Sequence, residues 1–280
     1  MSDNWIINNL NGAFETWNEK LGEIWQLVSQ SPQVFKGGGI WEVILTINGA
    51  LKAIGYALLI LFFAMSVFGG TMSFKDFKSW QTALRYFLRF VVAKAAVTYG
   101  MDILTAIFSI AGGTVNRMAD SLGSMSSAMV TLPDTIDTAV RNVGFFESIP
   151  LWIVTLLGSL LIWALSLIMI FSVYGRFFRL YLLTALAPLP LSTFAGESSS
   201  RVGKAFLKSY AGVCLEGAVV IVCCVIFGAF SNASTLGIPD PSLPAVTIVW
   251  NYIGEVVFNM LVLVGLIKGS DRIVKEIMRT

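Results

Sequence analysis

Residues 187–206 read APLPLSTFAGESSSRVGKAF. The stretch opens on an apolar run, carries Pro188 and Pro190, and closes on Gly203-Lys204. Gly-Lys invites a phosphate-loop reading, but the spacing rejects it. Such a loop has four residues between its first glycine and Gly-Lys, then a hydroxyl residue for a magnesium ion. Here six residues separate Gly196 from Gly203, and Ala205 follows the lysine. The apolar part, LYLLTALAPLPL at 180–191, is too short to cross a bilayer, which takes about 20 apolar residues. Its prolines also deny it a continuous helix.

The chain around this stretch is apolar throughout. Of 280 residues, 56% are hydrophobic and 13% charged, against about 25% charged in a soluble domain. With a mean hydropathy of +0.76, that surface cannot be hidden in one soluble core. The predicted fold class is all-α, a polytopic membrane helical bundle. Residues 41–280 form the transmembrane domain, with spans over about 43–70, 84–111, 149–174, 207–230 and 246–267.

Basic residues set the orientation. Lys75, Lys78, Arg85 and Arg89 follow the first span, and Arg176, Arg179, Arg201, Lys204 and Lys208 follow the third. Lys268, Arg272, Lys275 and Arg279 follow the fifth. The other side holds Lys20, Lys36, Arg117 and Arg141. The positive-inside bias predicts the N-terminus outside and the C-terminus in the cytoplasm of a multi-pass plasma-membrane protein. A full span at 180–194 would put Arg176 and Arg179 on the opposite side from Arg201, Lys204 and Lys208, whereas the segment 180–196 can be re-entrant. A re-entrant dip hinged at Pro188, Pro190 and Gly196 keeps them together. Irregular backbone at that depth must be covered by protein or face water, so the dip either lines a passage or is a proline-broken helix shielded by neighbours.

Residues 1–40 are predicted to be an extracytoplasmic amphipathic helix and a Gly-rich linker. Leu10, Phe14, Trp17, Leu21, Trp25 and Val28 recur at steps of three and four, and Pro32 with GGG at 37–39 ends the helix. Its acidic balance would not draw it to anionic lipid, and packing on sister subunits is the favoured expectation over lying in the interface. The start, MSDNWIINNL, has no basic n-region, so no cleaved leader is expected. The outer loop 112–147 is expected to hold one or two short helices suited to contacting an exported protein. Residues 231–245 read as a plain loop.

Charge inside the spans is the next signal. Lys94 and Asp102 fall in the second span on one expected face, Glu216 in the fourth, and Glu255 with Asn259 in the fifth. Each charge costs at least about 2.5 kcal/mol facing lipid at mid-depth, so they face a bundle interior, a partner subunit or water. Lys94 and Glu216 come to similar depth and are expected to pair. Helix pairing and conduit lining both remain open for this set. The cytoplasmic basic residues, with Phe74, Phe77, Trp80 and Leu84 beside them, suit anchoring on anionic headgroups. Contact with nucleic acid or an acidic motor protein would look the same.

Catalytic chemistry lacks candidates. Histidine is absent, and Cys214, Cys223 and Cys224 share one apolar segment, as packing residues do. No enzyme activity, cofactor or metal is expected.

The blocks YGRFFRLYLLTALAPLPLSTFAGESSSRVGKAFLKSYAGVCLEGAVVIV (174–222) and VFNMLVLVGLIKGSDRIVKEIM (257–278) resemble the TrbL-like channel subunit of conjugative type IV secretion systems, in the form carried by Gram-positive plasmids and transposons. Over the first half the likeness is one of topology alone. Ala187–Pro190, Gly196, Glu197 and Glu216 carry it. The resemblance implies a homo-oligomer, a ring of about five copies, forming or bracing a channel for DNA or protein export. It implies partners too: secretion ATPases, a coupling protein, an extracellular cell-wall hydrolase and passing relaxase–DNA. A secondary transporter of small solutes is the alternative. That class usually shows two related halves with matching broken helices, whereas one broken segment and no repeat are read here. The exposed apolar face expected on the N-terminal helix also suits an assembly of sister copies.

Overall fold

The computed structural model describes residues 5–69, 80–121, 129–233 and 244–278. Among them there are helices and turns but no strand. The helices are α1 (Trp5–Ser29), α2 (Gly39–Gly69), α3 (Trp80–Thr98), α4 (Gly100–Ser121) and α5 (Asp134–Arg141), followed by α6 (Phe145–Leu186), α7 (Pro188–Ser192), α8 (Ser200–Ala233) and α9 (Ala245–Met278). Among the described residues, four stretches are long and apolar enough to cross a membrane: Phe35–Phe68, Ser148–Leu186, Ser200–Phe230 and Ala245–Met278. A fifth exists if Ala83–Thr98 and Gly100–Met118 count as one span bent by 71°. The second expected span, 84–111, is therefore not one straight helix. Lys94 and Asp102 lie on separate helices either side of the bend.

The chain divides into two compact units. The first comprises Met1–Ser29, Val115–Tyr174 and Ala218–Ser270. Here α1 is not a detached amphipathic arm. Leu10, Trp17 and Leu21 have no exposed surface, and Phe14, Ile24 and Val28 are buried. Phe14 meets the Tyr252 ring edge-on at 6.3 Å, and Trp5 sits 5.4 Å from Trp152. The Asn18 amide pairs with the Val130 backbone in both directions, at 2.8 and 3.0 Å. The Tyr174 hydroxyl donates to Glu23 at 2.9 Å. Burying a leucine contributes about 1.5–3 kcal/mol, and the chain's own segments supply that burial. The exposed apolar face expected of this helix does not exist. The loop expected over 112–147 is also shorter than that, because α4 runs on to Ser121. Its one short helix among the described residues is α5, with Asp134 and Asp137 in the first turn and Arg141 in the last, which suits the helix dipole.

The second unit comprises Gln30–Thr114, Gly175–Gly217 and Asp271–Thr280. It begins with a left-handed turn: Lys36, Gly37 and Gly38 have φ of 51°, 77° and 81°. Glycine takes such angles without steric cost, so Gly37 and Gly38 turn the backbone and α2 starts at Gly39. Phe35 stacks on Phe177 at 4.2 Å, and the Tyr181 hydroxyl donates to the Pro32 carbonyl at 2.8 Å. The unit's core joins Leu59, Val97, Leu104, Leu180, Ala187, Leu191, Ala195 and Tyr210.

Candidate functional site

The proline segment lies in this core. α6 continues unbroken through 180–186, so in the stretch 180–196, expected to be re-entrant, the helix breaks only at Ala187. Pro188 opens α7, where a missing N–H leaves no gap. The backbone stays right-handed helical from Ala187 to Thr193, and the Leu191 N–H donates to the Ala187 carbonyl at 3.1 Å. The reversal comes at Gly196, which is extended at φ −100° and ψ 147°. Side-chain hydroxyls serve the backbone there. Thr193 donates to the Pro190 carbonyl at 2.7 Å and accepts from the Gly203 N–H at 2.9 Å, and Ser199 donates to the Thr193 carbonyl at 2.9 Å.

Three glycines let this segment dock. A side chain on Gly55 of α2 would come within 2.9 Å of the Pro188 carbonyl oxygen. On Gly100, at the start of α4, it would reach Leu191 at 2.8 Å. On Gly203 it would meet Phe194 at 2.9 Å and the Pro190 oxygen at 3.0 Å. The glycine of Gly203-Lys204 is thus a contact point between backbones.

The bend between α3 and α4 is contacted by α2. The Lys52 ammonium donates to the Thr98 carbonyl at 3.2 Å, and the Tyr56 hydroxyl bonds the Thr98 hydroxyl at 2.9 Å. Lys52 so satisfies a carbonyl at the negative end of α3. Asp102 stands in the first turn of α4, the favourable end for an acid.

Glu216 does not pair with Lys94. Its two carboxylate oxygens accept from Arg179 at 2.7 Å each, and Arg179 also donates to Asp271. Lys275 closes the chain on Asp271 at 2.8 Å. Arg176 is 2% exposed, donates from Nε to the Val213 carbonyl at 3.3 Å, and lies 5.6 Å from the Phe177 ring centre. A side chain on Gly217 would strike its guanidinium at 2.6 Å. The network ties α6, α8 and α9 together. Arg176 and Arg179 are therefore not part of an open basic face. The depth estimate failed because α6 carries its helix past residue 174, which places both arginines on the helix.

The other expected positions are dispersed. Arg85, Arg201, Lys204 and Lys208 are exposed; Arg89 is half-buried and pairs with Glu197 at 3.1 Å. Lys75 and Lys78 lie outside the described residues, as does most of 231–245. In the first unit Asn259 is buried and Glu255, one turn away on α9, is half-buried. Lys94 and Asp102 are exposed. All three cysteines are buried and free. Lys52, Asp271 and Gly217 were not singled out. Lys52 could have been found as a lone cation in an apolar run, and Gly217 as a glycine beside an intramembrane acid.

A groove of about 710 Å³ lies between α1 and the approach to α5, lined by Phe14, Glu15, Glu19, Val130, Asp134 and Asp137 among others. The Asp137 carboxylate, 2.6 Å from Arg141, holds that guanidinium above the ordinary arginine range.

Long apolar helices, bent and proline-broken segments docked through glycines, and ion pairs between helices define a multi-pass helical membrane protein. Residues 17–188 match the family described as TrbL/VirB6 plasmid conjugal transfer like protein; the match covers more than half of the chain, and the protein belongs to that family. The matched region includes the half where the sequence resemblance rested on topology, and overlaps the quoted 174–222 block only up to Pro188. No curated protein matches the chain. The family makes it a membrane component of a conjugal transfer system, working with other transfer components.

Proposed function

We propose that the protein oligomerises to form or brace the translocation channel of a conjugative type IV secretion system, with no catalytic chemistry of its own. The family match over 17–188 carries this reading. In it, α1 and α5 face outward and the C-terminus is cytoplasmic, with Arg85, Arg201, Lys204 and Lys208 toward anionic headgroups or passing cargo. Secretion ATPases and the coupling protein dock on the cytoplasmic side. A cell-wall hydrolase and exported protein meet the outer groove, and relaxase–DNA is the transient cargo.

One observation favours the transporter alternative. The α3–α4 bend is a second broken segment, beyond the single one read in the sequence. Broken helices in transporters offer carbonyls to a cation. Here the Lys52 ammonium takes that place, which favours the channel reading. Deleting the gene in its donor strain tests the choice. Loss of transfer, restored by the gene in trans, is expected. Unchanged transfer together with solute uptake by proteoliposomes would reverse it.

A further inference from the structure

Within the first unit, α1 runs beside the early part of α6 and in the same direction. Trp5 lies 5.4 Å from Trp152, Ala13 and Thr16 share a groove of about 650 Å³ with Ser159 and Trp163, and Glu23 accepts from Tyr174 at 2.9 Å. At about 1.5 Å per residue, the stretches 5–23 and 152–174 agree in length to about one turn. This part of α6 belongs to the apolar stretch Ser148–Leu186 and is long enough to cross a bilayer, which takes about 20 residues. Whatever depth α6 reaches here, α1 reaches with it.

The two helices present opposite surfaces. Between Trp5 and Ser29, the exposed residues of α1 are Asn8, Asn11, Gly12, Glu15, Glu19 and Gln26, all polar or glycine. From Trp152 to Val173, the exposed residues of α6 are all apolar or tryptophan, among them Ile153, Leu157, Leu161 and Phe171. One medium does not suit both. Lipid suits α6, but an ionised carboxylate facing lipid is strongly disfavoured, and glutamate is too short to reach the headgroups from mid-span. Glu15 and Glu19 form no ion pair among the described residues, and the helix's one cation, Lys20, is held by Glu23 at 2.7 Å. Water satisfies the amides and the carboxylates alike. We infer that the exposed face of α1 is the wall of a water-filled vestibule, open to the outside and running at the depth of the span beside it. Glu15 and Glu19 make that wall favour cations over anions. This deepens the channel reading proposed above and rests on it.

Thiol labelling of the full chain in its native membrane tests the wall. With an impermeant maleimide added from outside, Asn8→Cys, Glu15→Cys and Glu19→Cys should react at least about tenfold faster than Leu157→Cys and Leu161→Cys, because a thiol ionises in water and not in lipid. The wild type, whose cysteines are buried, is the blank. Uniformly slow reaction means that lipid or protein covers α1, and uniformly fast reaction means that water bathes both helices. Either result overturns the inference. Nitroxides at the same positions, in protein reconstituted into lipid vesicles, give a measurement independent of thiol reactivity. A water-soluble nickel chelate should relax the α1 labels and oxygen the α6 labels; the same response at both sets overturns the inference as well. For the charge preference, a cationic methanethiosulfonate should modify Asn11→Cys about fivefold faster than an anionic one. Adding Glu15→Gln and Glu19→Gln should level the two rates, and rates already equal before that change overturn the preference. The channel reading fails by a different result, transfer that persists when the gene is deleted.

Discussion

Glu216 binds Arg179 through both oxygens while Arg179 also holds Asp271, so removing the acid leaves cationic charge uncompensated beside an apolar core. Glu216→Ala should destabilise the protein by about 2–4 kcal/mol, toward the lower end because the Arg179 side chain is 36% exposed. Thermal unfolding in detergent reads this directly. Replacing both partners, Arg179→Met with Glu216→Leu, should recover most of the loss, since well-packed apolar pairs often substitute for buried ion pairs. Lys52 gives a second test at this scale. Lys52→Met leaves the Thr98 carbonyl without its donor, at a cost of about 1–3 kcal/mol. A spin-label distance from α3 to α4 would report whether the bend opens, and Lys52→Arg should keep it.

Helices and breaks make the next level, and much of it is legible in the sequence. Apolar runs of sufficient length gave the long helices, because lipid requires every backbone group to be satisfied within a segment. Prolines at 188 and 190 gave a departure from α6. What pattern could not supply was the end of a helix that remains apolar through a basic pair, as α6 does across Arg176 and Arg179. Nor could it show the bend at Tyr99, where no proline stands and a lysine from another helix binds the Thr98 carbonyl. The burial of α1 was missed for a related reason. Period reveals an apolar face and is silent on what covers it. Docking at this level is tested by Gly55→Val. The new side chain would press on the Pro188 backbone, which cannot yield as a side-chain tip can, and the cost should be about 1–3 kcal/mol. Its signature would be faster proteolysis at the exposed residues Glu197 and Ser198.

For the molecule as a whole, orientation is the claim most open to direct test. The basic residues predict that Ser198→Cys reacts with an impermeant maleimide only from the cytoplasm, and Asn11→Cys only from outside. Labelling of both from one side would overturn the predicted topology, while the helices and the family membership would stand. Sequence carried the molecular class well, since composition alone separates a lipid-dissolved chain from a soluble one. It served the interhelical pairs poorly. Pairing depends on rotation about each helix axis, and counting residues from a span's end measures depth only.

The guanidinium of Arg176 occupies a space that exists because residue 217 has no side chain. Cutting Arg176 back to alanine would leave a vacancy of the shape and polarity of a free guanidinium ion, opposite the Val213 carbonyl. Millimolar guanidinium or methylguanidinium, ordinarily inert or harmful to a folded protein at such levels, should then raise the melting temperature of that variant and leave the wild type unmoved. Chemical rescue of this kind would turn a buried arginine into a titratable handle on the junction of three helices.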